Sequence, residues 1–468
     1  MKKHLSLGVV VLFSVLMSSL AWSAEEQRPT EQAVVLPSPS PVSEAPAAEP
    51  FAFADFTWLN GNSRQKTFPL DTKMFTGEFT LDTNYIVDFN HPADHTLIGS
   101  TNAGRTSEFQ VEQLGIGGDF HYENIRGRLM TQFGMYSTMT PRNDASPSRG
   151  QWDLSDAYRY VSEAYGGYHL DVWNGINIDV GIFMSYIGLC SYYNFDNWVY
   201  QMSYVSSNTP WFFNGVRIQT FPTDRLKIEY WIINGWQSYG MFNEMPGLGF
   251  EILWRPSENF SFVSNNYYGK DTYSNVDRLR FHTDNSAQYK YLDHPSSNFL
   301  SKGAFSLTVD AGCESGGGVS CASSGSGGPE QNFLGFMLYN RFWFKQDHFG
   351  LTIGGGAITN PGRYLVLLPP INGATASSSS YYFPESPGTE FRAWDGTVTF
   401  DYMPSQFITW RVEFNHRQSN VPYFAGPGGI TPNGGNQGLA GSQVTNEPFN
   451  PDLQESENRI NLSMMIRL

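Results

Sequence analysis

Residues 407–417 read FITWRVEFNHR, with Ile408, Trp410, Val412 and Phe414 alternating with Thr409, Arg411, Glu413 and Asn415. A period of two marks a β-strand whose two faces meet different surroundings. One such strand does not say which face meets water; the answer comes from how often the pattern returns. Phe79, Leu81, Thr83, Tyr85 and Val87 oppose Asp82, Asn84 and Asp88, and Ile176, Ile178, Val180 and Ile182 oppose Asn177 and Asp179. About sixteen segments between residues 78 and 468 repeat it, the last being RINLSMMIRL, which alternates up to Leu468.

The links between these segments alternate in length. Glu123–Ile125, Asp171–Asn174, Pro222–Arg225, Pro256–Asn259, Asp293–Asn298, Phe344–His348 and Pro404–Ser405 are short, whereas 187–211, 359–393 and 418–457 are long. Tight turns at one end and long loops at the other are the rhythm of a closed transmembrane barrel. The predicted fold is all-β: an antiparallel transmembrane β-barrel of about sixteen strands with short periplasmic turns and long extracellular loops. Tyr122, Tyr168, Phe221, Trp254, Tyr291, Trp343 and Tyr402 flank the short turns, where an aromatic girdle at a lipid–water boundary is expected.

The N-terminus supplies the compartment. Lys2 and Lys3 precede an apolar run from Leu5 to Leu20 and the small-residue pattern Ala21-Trp22-Ser23-Ala24, which predicts a secretory signal peptide over 1–23. Residues 24–55 carry Pro37, Pro39, Pro41, Pro46 and Pro50 among Ala, Ser and Glu and read as a flexible periplasmic leader; the barrel is expected over 56–468. The net charge is −15, and −17 once Lys2 and Lys3 leave with the signal, which argues against nucleic acid as a partner.

With apolar faces toward lipid, the polar faces line the interior, where nearly balanced acids and bases require water or one another. The candidate pore-lining residues are Asp82, Arg126, Arg128, Arg217, Glu229, Arg280, Arg411, Glu413 and Arg417. Facing rows of guanidinium and carboxylate would set a transverse field that selects solutes by size and charge. The aromatic stretch CSYYNFDNWVYQMSYVSSNTP carries Asp196 and could either fold inward as a constriction or cap the outside.

Cys313 and Cys321 enclose a Gly/Ser-rich segment, CESGGGVSC, a spacing that suits a small disulfide-closed loop in an oxidising compartment. Cys190 would then be unpaired and inert. The His residues are scattered, and neither GxSxG nor HExxH occurs, so no catalytic, metal or cofactor site is expected. His416 reads as a girdle or loop contact. The glycines at 354–356 and in GPGGITPNGG do not introduce helices and are poor phosphate loops.

The segments FTWLNGNSR, FPLDTKMFTGEF, QLGIGGDFHYENIRGRLMTQFGMYSTMTPRNDASPSRGQWDL, INGWQSYG, FSLTVDAGCESGGGVSC and DYMPSQFITWRVEFNHRQSNVPYFAGPGGITP resemble those of the putative beta-barrel porin-2 family, OmpL-like outer-membrane barrels. The resemblance spans Phe56 to Leu468 and implies a porin-like barrel of a Gram-negative outer membrane; it brings no substrate and no binding residues. The expected function is therefore a non-enzymatic, water-filled channel for passive diffusion of small hydrophilic solutes. Its expected partners are outer-membrane lipid and those solutes, and homotrimerisation is compatible with the sequence. The alternative is a non-conducting surface protein whose long loops bind an external ligand.

Overall fold

The computed structural model describes residues 49–146, 149–272, 275–322, 330–361, 366–367, 372–374, 390–428 and 452–468. Period-two segments become strands because each can satisfy its backbone only through neighbours on both sides, and in lipid only a closed ring leaves no edge unpaired. The first eight wall strands are β1 (Phe75–Asp88), β2 (Phe109–Tyr122), β3 (Ile125–Thr131), β4 (Val161–Leu170), β5 (Ile176–Met184), β6 (Phe212–Thr223), β7 (Leu226–Ile233) and β8 (Gly247–Ser257). There follow β9 (Phe260–Gly269), β10 (Leu279–Asp293), β11 (Leu300–Ser315), β12 (Asn332–Phe344) and β13 (Phe349–Asn360). After a two-stranded hairpin of β14 (Val366–Leu367) and β15 (Asn372–Ala374), the wall resumes with β16 (Phe391–Ser405), β17 (Ile408–Ser419) and β18 (Ser456–Arg467).

The sixteen wall strands pair antiparallel in chain order, and β1 closes the ring against β18 from Thr80↔Arg467 to Asp88↔Arg459. Leu468 extends this ladder through reciprocal backbone bonds with Phe79. The opening stretch lies in β17, where Trp410 and Val412 are each 49% exposed on the outside while Arg411 and Glu413 are 2% and 1% exposed on the inside. The predicted facing therefore holds: the apolar side is the outer wall.

Three expectations change. The segment after the Glu123–Ile125 turn, which the repeat predicts as a full-length strand, is a strand only to Thr131, and Gly134 leads into a short helical turn, Tyr136–Met139. Structure was expected to begin as barrel at residue 56, with a flexible leader before it; instead β1 starts at Phe75, and the chain from Phe51 onward already packs against the barrel. Trp343 does not join an outer girdle but turns inward against Trp198, with ring centroids 5.6 Å apart, while Phe221 packs on Phe51. Tyr122, Tyr168, Trp254, Tyr291 and Tyr402 are exposed on the outer surface. The signal and residues 24–48 lie outside the described residues, as does most of GPGGITPNGG.

Cys313 and Cys321 form a disulfide that closes an eight-residue separation at the long-loop end of β11. A loop that short removes about 2.5 kcal/mol of unfolded-chain entropy in the loop-closure view. Reduction is therefore expected to loosen the β11–β12 loop without opening the barrel. Faster proteolysis there, at unchanged conductance, is the result that checks it.

Candidate functional site: the charged lumen

Much of the buried apolar surface of this barrel lies inside the ring. A large cluster joins Trp58, Leu59, Tyr186, Ile187, Tyr192, Tyr193, Trp198, Val199, Met202, Tyr204 and Trp211 to inward side chains such as Phe183, Trp231, Tyr339 and Trp343. Most of these residues belong to the segment linking β5 to β6, residues 185–211. That segment folds into the lumen instead of capping its outside.

Wall groups hold this inward loop by its backbone. Glu413 accepts the N–H groups of Tyr200 and Gln201, each at 2.6 Å, and the Arg411 guanidinium donates to the Asn197 carbonyl at 2.6 Å while binding Asp401 through two nitrogens. Arg341 donates to the Trp198 carbonyl at 3.3 Å and to Asp401 at 2.7 Å. Asp395 accepts from Ser203 Oγ at 2.6 Å and from the Tyr204 N–H at 3.2 Å. On the adjoining strands β1 and β18, Asp82 accepts from Asn194 Nδ2 at 2.8 Å and from the Tyr200 hydroxyl at 3.1 Å, and Arg467 pairs with Asp196 at 2.6 Å. Irregular backbone inside a membrane barrel needs such partners for its own polar groups. A Cβ on Gly356 of β13 would collide with Ser203 Oγ; the glycine lets the loop lie flat on the wall.

The sequence-derived pore residues thus fall into three groups. Asp82, Arg411 and Glu413 face inward as predicted, but they face the loop and not channel water, because the loop supplies the polar groups that water would otherwise provide. Arg280 and Arg417 sit toward the long-loop end. Arg280 binds Glu314 at 2.8 Å, and Arg417 donates to the Gly99 carbonyl at 2.6 Å and lies over the Tyr204 ring. Arg128, Arg217 and Glu229 form the third group, lining an open cavity, and Arg126 joins them through the Asp179 it shares with Arg217.

That cavity of about 560 Å³ runs along the inner wall of β1–β8 beneath the loop. Arg128 is its hub, with Glu78 at 2.8 Å, Asp119 at 2.7 Å and Glu163 at 2.9 Å. Arg126 and Arg217 share Asp179, at 3.3 and 2.8 Å, and Arg217 lies over the rings of Tyr165 and Phe183 at 4.9 and 4.7 Å. Lys227 spans Glu229 and Glu251 at 2.6 and 2.7 Å. A smaller space of about 30 Å³ lies between the loop and β12, β16 and β17.

Lys227, Glu251, Arg467 and the anchoring Asp395 also belong to the site, and strand alternation places each of them on the inward polar face. Sequence reasoning missed Trp58, Asn60 and Arg64, which precede any strand. Cys190 lies on the inward loop as a free thiol; burial pushes it up to about 12, so it is poorly nucleophilic. His416 bonds Asn458 at 2.9 Å and packs on the Trp394 ring, a wall contact.

A closed sixteen-strand barrel, apolar outside and charged within, with a loop folded into its bore, belongs to the class of outer-membrane porin channels. The family described as Putative beta-barrel porin-2, OmpL-like, matches residues 75–445, and the chain belongs to it. No curated protein matches the sequence. Among solved structures, the trimer form of OmpT from Vibrio cholerae is 7% identical, with 85% of this chain and 100% of that one covered and a TM-score of 0.49. The anion-selective porin of Comamonas acidovorans is 8% identical over 84% and 99%, TM-score 0.46. The outer-membrane channel DcaP of Acinetobacter baumannii is 13% identical over 85% and 96%, also 0.46.

Proposed function

We propose that small hydrophilic solutes diffuse passively through this barrel along the inner wall of β1–β8, without catalysis. The observation that carries this reading is the open space of about 560 Å³ that runs beside β1–β8 beneath the loop and is lined by charged side chains. Arg128, Arg217, Lys227 and Arg467 intersperse there with Glu78, Asp119, Glu163, Glu229 and Glu251. Acids and bases at nearly equal number, each paired at contact distance, leave little net potential in the path, so polar solutes of either sign are expected to pass with weak selectivity.

Planar-bilayer recording from the folded barrel tests the channel; absence of any open-channel current would sink it. Arg217→Ala is expected to shift the reversal potential in a salt gradient toward cations, and Glu229→Gln toward anions. Identical reversal potentials for the two variants would remove both residues from the path. Export by the signal at residues 1–23, lipid contact through the exposed apolar wall and homotrimer assembly complete the reading, and the mass of the purified complex tests the last.

A further inference from the structure

The chain ahead of β1 enters the bore. Phe51 donates its N–H to the Asp224 carbonyl at 2.6 Å, and the Arg255 guanidinium lies over both Phe51 and Phe56, at 4.8 and 4.7 Å. Trp58 Nε1 donates to the Glu258 carbonyl at 3.1 Å, which fixes the segment to the β8–β9 turn. The Asn60 N–H donates to Gln288 of β10 at 2.8 Å. Arg64 then reaches the other side of the ring: it donates to the carbonyls of Ser405 and Ile408, both at 2.7 Å, and to Thr409 Oγ1 at 2.9 Å. Gln65 donates to the Arg467 carbonyl at 2.9 Å. From Trp58 to Gln65 the chain therefore bridges β8–β10 to β16–β18, a span of about 25 Å at full extension.

In the middle of that span the segment grips the inward loop. Asn60 Oδ1 accepts the Trp198 N–H at 2.9 Å, and the Gly61 N–H donates to the Asp196 carbonyl at 3.0 Å. Gly61 has a φ of +78°, and any Cβ there would collide with the Leu189 carbonyl. Trp58, Leu59 and Asn60 are at most 2% exposed. A solvated tether would leave a tryptophan and its own polar backbone in water; this one hides both, and its polar atoms bond the wall and the loop.

We propose that Phe56–Gln65 is the second half of the constriction: with the inward loop it closes the β10–β17 side of the bore, while its Gly61, Ser63 and Gln65 border the open space, and it thereby sets the size limit of the path along β1–β8. The inference rests on the channel reading above. The occupant of the closed side is thus the chain's own N-terminal segment, and the exclusion limit is fixed by residues outside every wall strand.

The test removes residues 49–65 from the full chain, keeps all that precedes them, and records single-channel conductance with polymers of graded size. A rise in conductance of about two- to threefold, with larger polymers admitted, is expected from the wider open cross-section. The paired variant Trp58→Ala, Arg64→Ala keeps the chain length should the deletion fold poorly, and it should shift the polymer cut-off the same way. Unchanged conductance and cut-off in variants that retain the heat-resistant folded barrel would overturn the proposal and leave the channel standing. A current seen only after deletion would support the segment as a complete plug. No current from either the intact or the deleted protein would overturn both readings.

Discussion

Glu413→Ala is expected to release the inward loop and raise single-channel conductance several-fold. The carboxylate is 1% exposed and accepts three hydrogen bonds, from the Tyr200 and Gln201 N–H groups and from Thr399 Oγ1 at 2.8 Å. Alanine offers no acceptor, and an orphaned buried donor costs about 1–3 kcal/mol. The loop regains part of that by moving toward water, which widens the bore. Two measurements check this: the conductance and its open-state noise, and an unfolding free energy lowered by roughly 2–4 kcal/mol. Glu413→Gln keeps one acceptor oxygen and should fall between the two. A conductance equal to the parent's would mean that Asp395, Arg411 and Arg341 hold the loop without it.

Arg128→Ala is expected to combine a large loss of stability with the largest shift toward cations. Its guanidinium touches Glu78, Asp119 and Glu163 together, and its side chain is 9% exposed. Removing one partner of a buried ion cluster costs about 3–5 kcal/mol, since the remaining charges lose their compensation. Two features reduce that here: Asp119 has half its side chain in solvent, and Glu78 keeps Arg467 at 2.9 Å. The lower end of the range, about 3 kcal/mol, is therefore expected in urea unfolding. Three carboxylates facing the path without their hub would attract cations, so the reversal potential should move further than in Arg217→Ala. Arg128→Lys retains the charge but not the fork that reaches three acceptors, and should restore selectivity better than stability. An unaltered reversal potential would place Arg128 off the solute path.

The wall was legible because its signal is local. In FITWRVEFNHR the alternation alone assigns Trp410 and Arg411 to opposite faces, and the register Asp401↔Arg411 and Thr399↔Glu413 carries the same parity to the neighbouring strand. Where alternation broke, reading failed: the segment after Thr131 kept enough apolar residues to resemble a strand, but Gly134 at φ +98° ends it. Nearness to a short turn places Trp343 in the girdle, whereas strand parity, shared with the buried Arg341 two residues before it, places it inside, and parity decides. The glycines at 354–356 were dismissed as a phosphate loop, and their use, at Gly356, is to admit Ser203 against the wall.

The candidate site was only half legible. Arg128, Arg217 and Glu229 border the open cavity, yet Asp82, Arg411 and Glu413, chosen by the same rule, are covered by the loop. Parity says that a side chain points into the bore; it does not say what else is there.

By itself, the sequence determined a ring of about sixteen alternating strands, apolar outward and charged inward, because strand period and turn spacing act between residues close along the chain. Tertiary structure alone decided which charges meet solute. Residues 56–65 and 185–211 fold back onto strands hundreds of positions away, as Arg64 does on Thr409 and Gln201 on Glu413. Such contacts follow from the need to satisfy irregular backbone inside a barrel, a need that any polar wall group of the right height can meet.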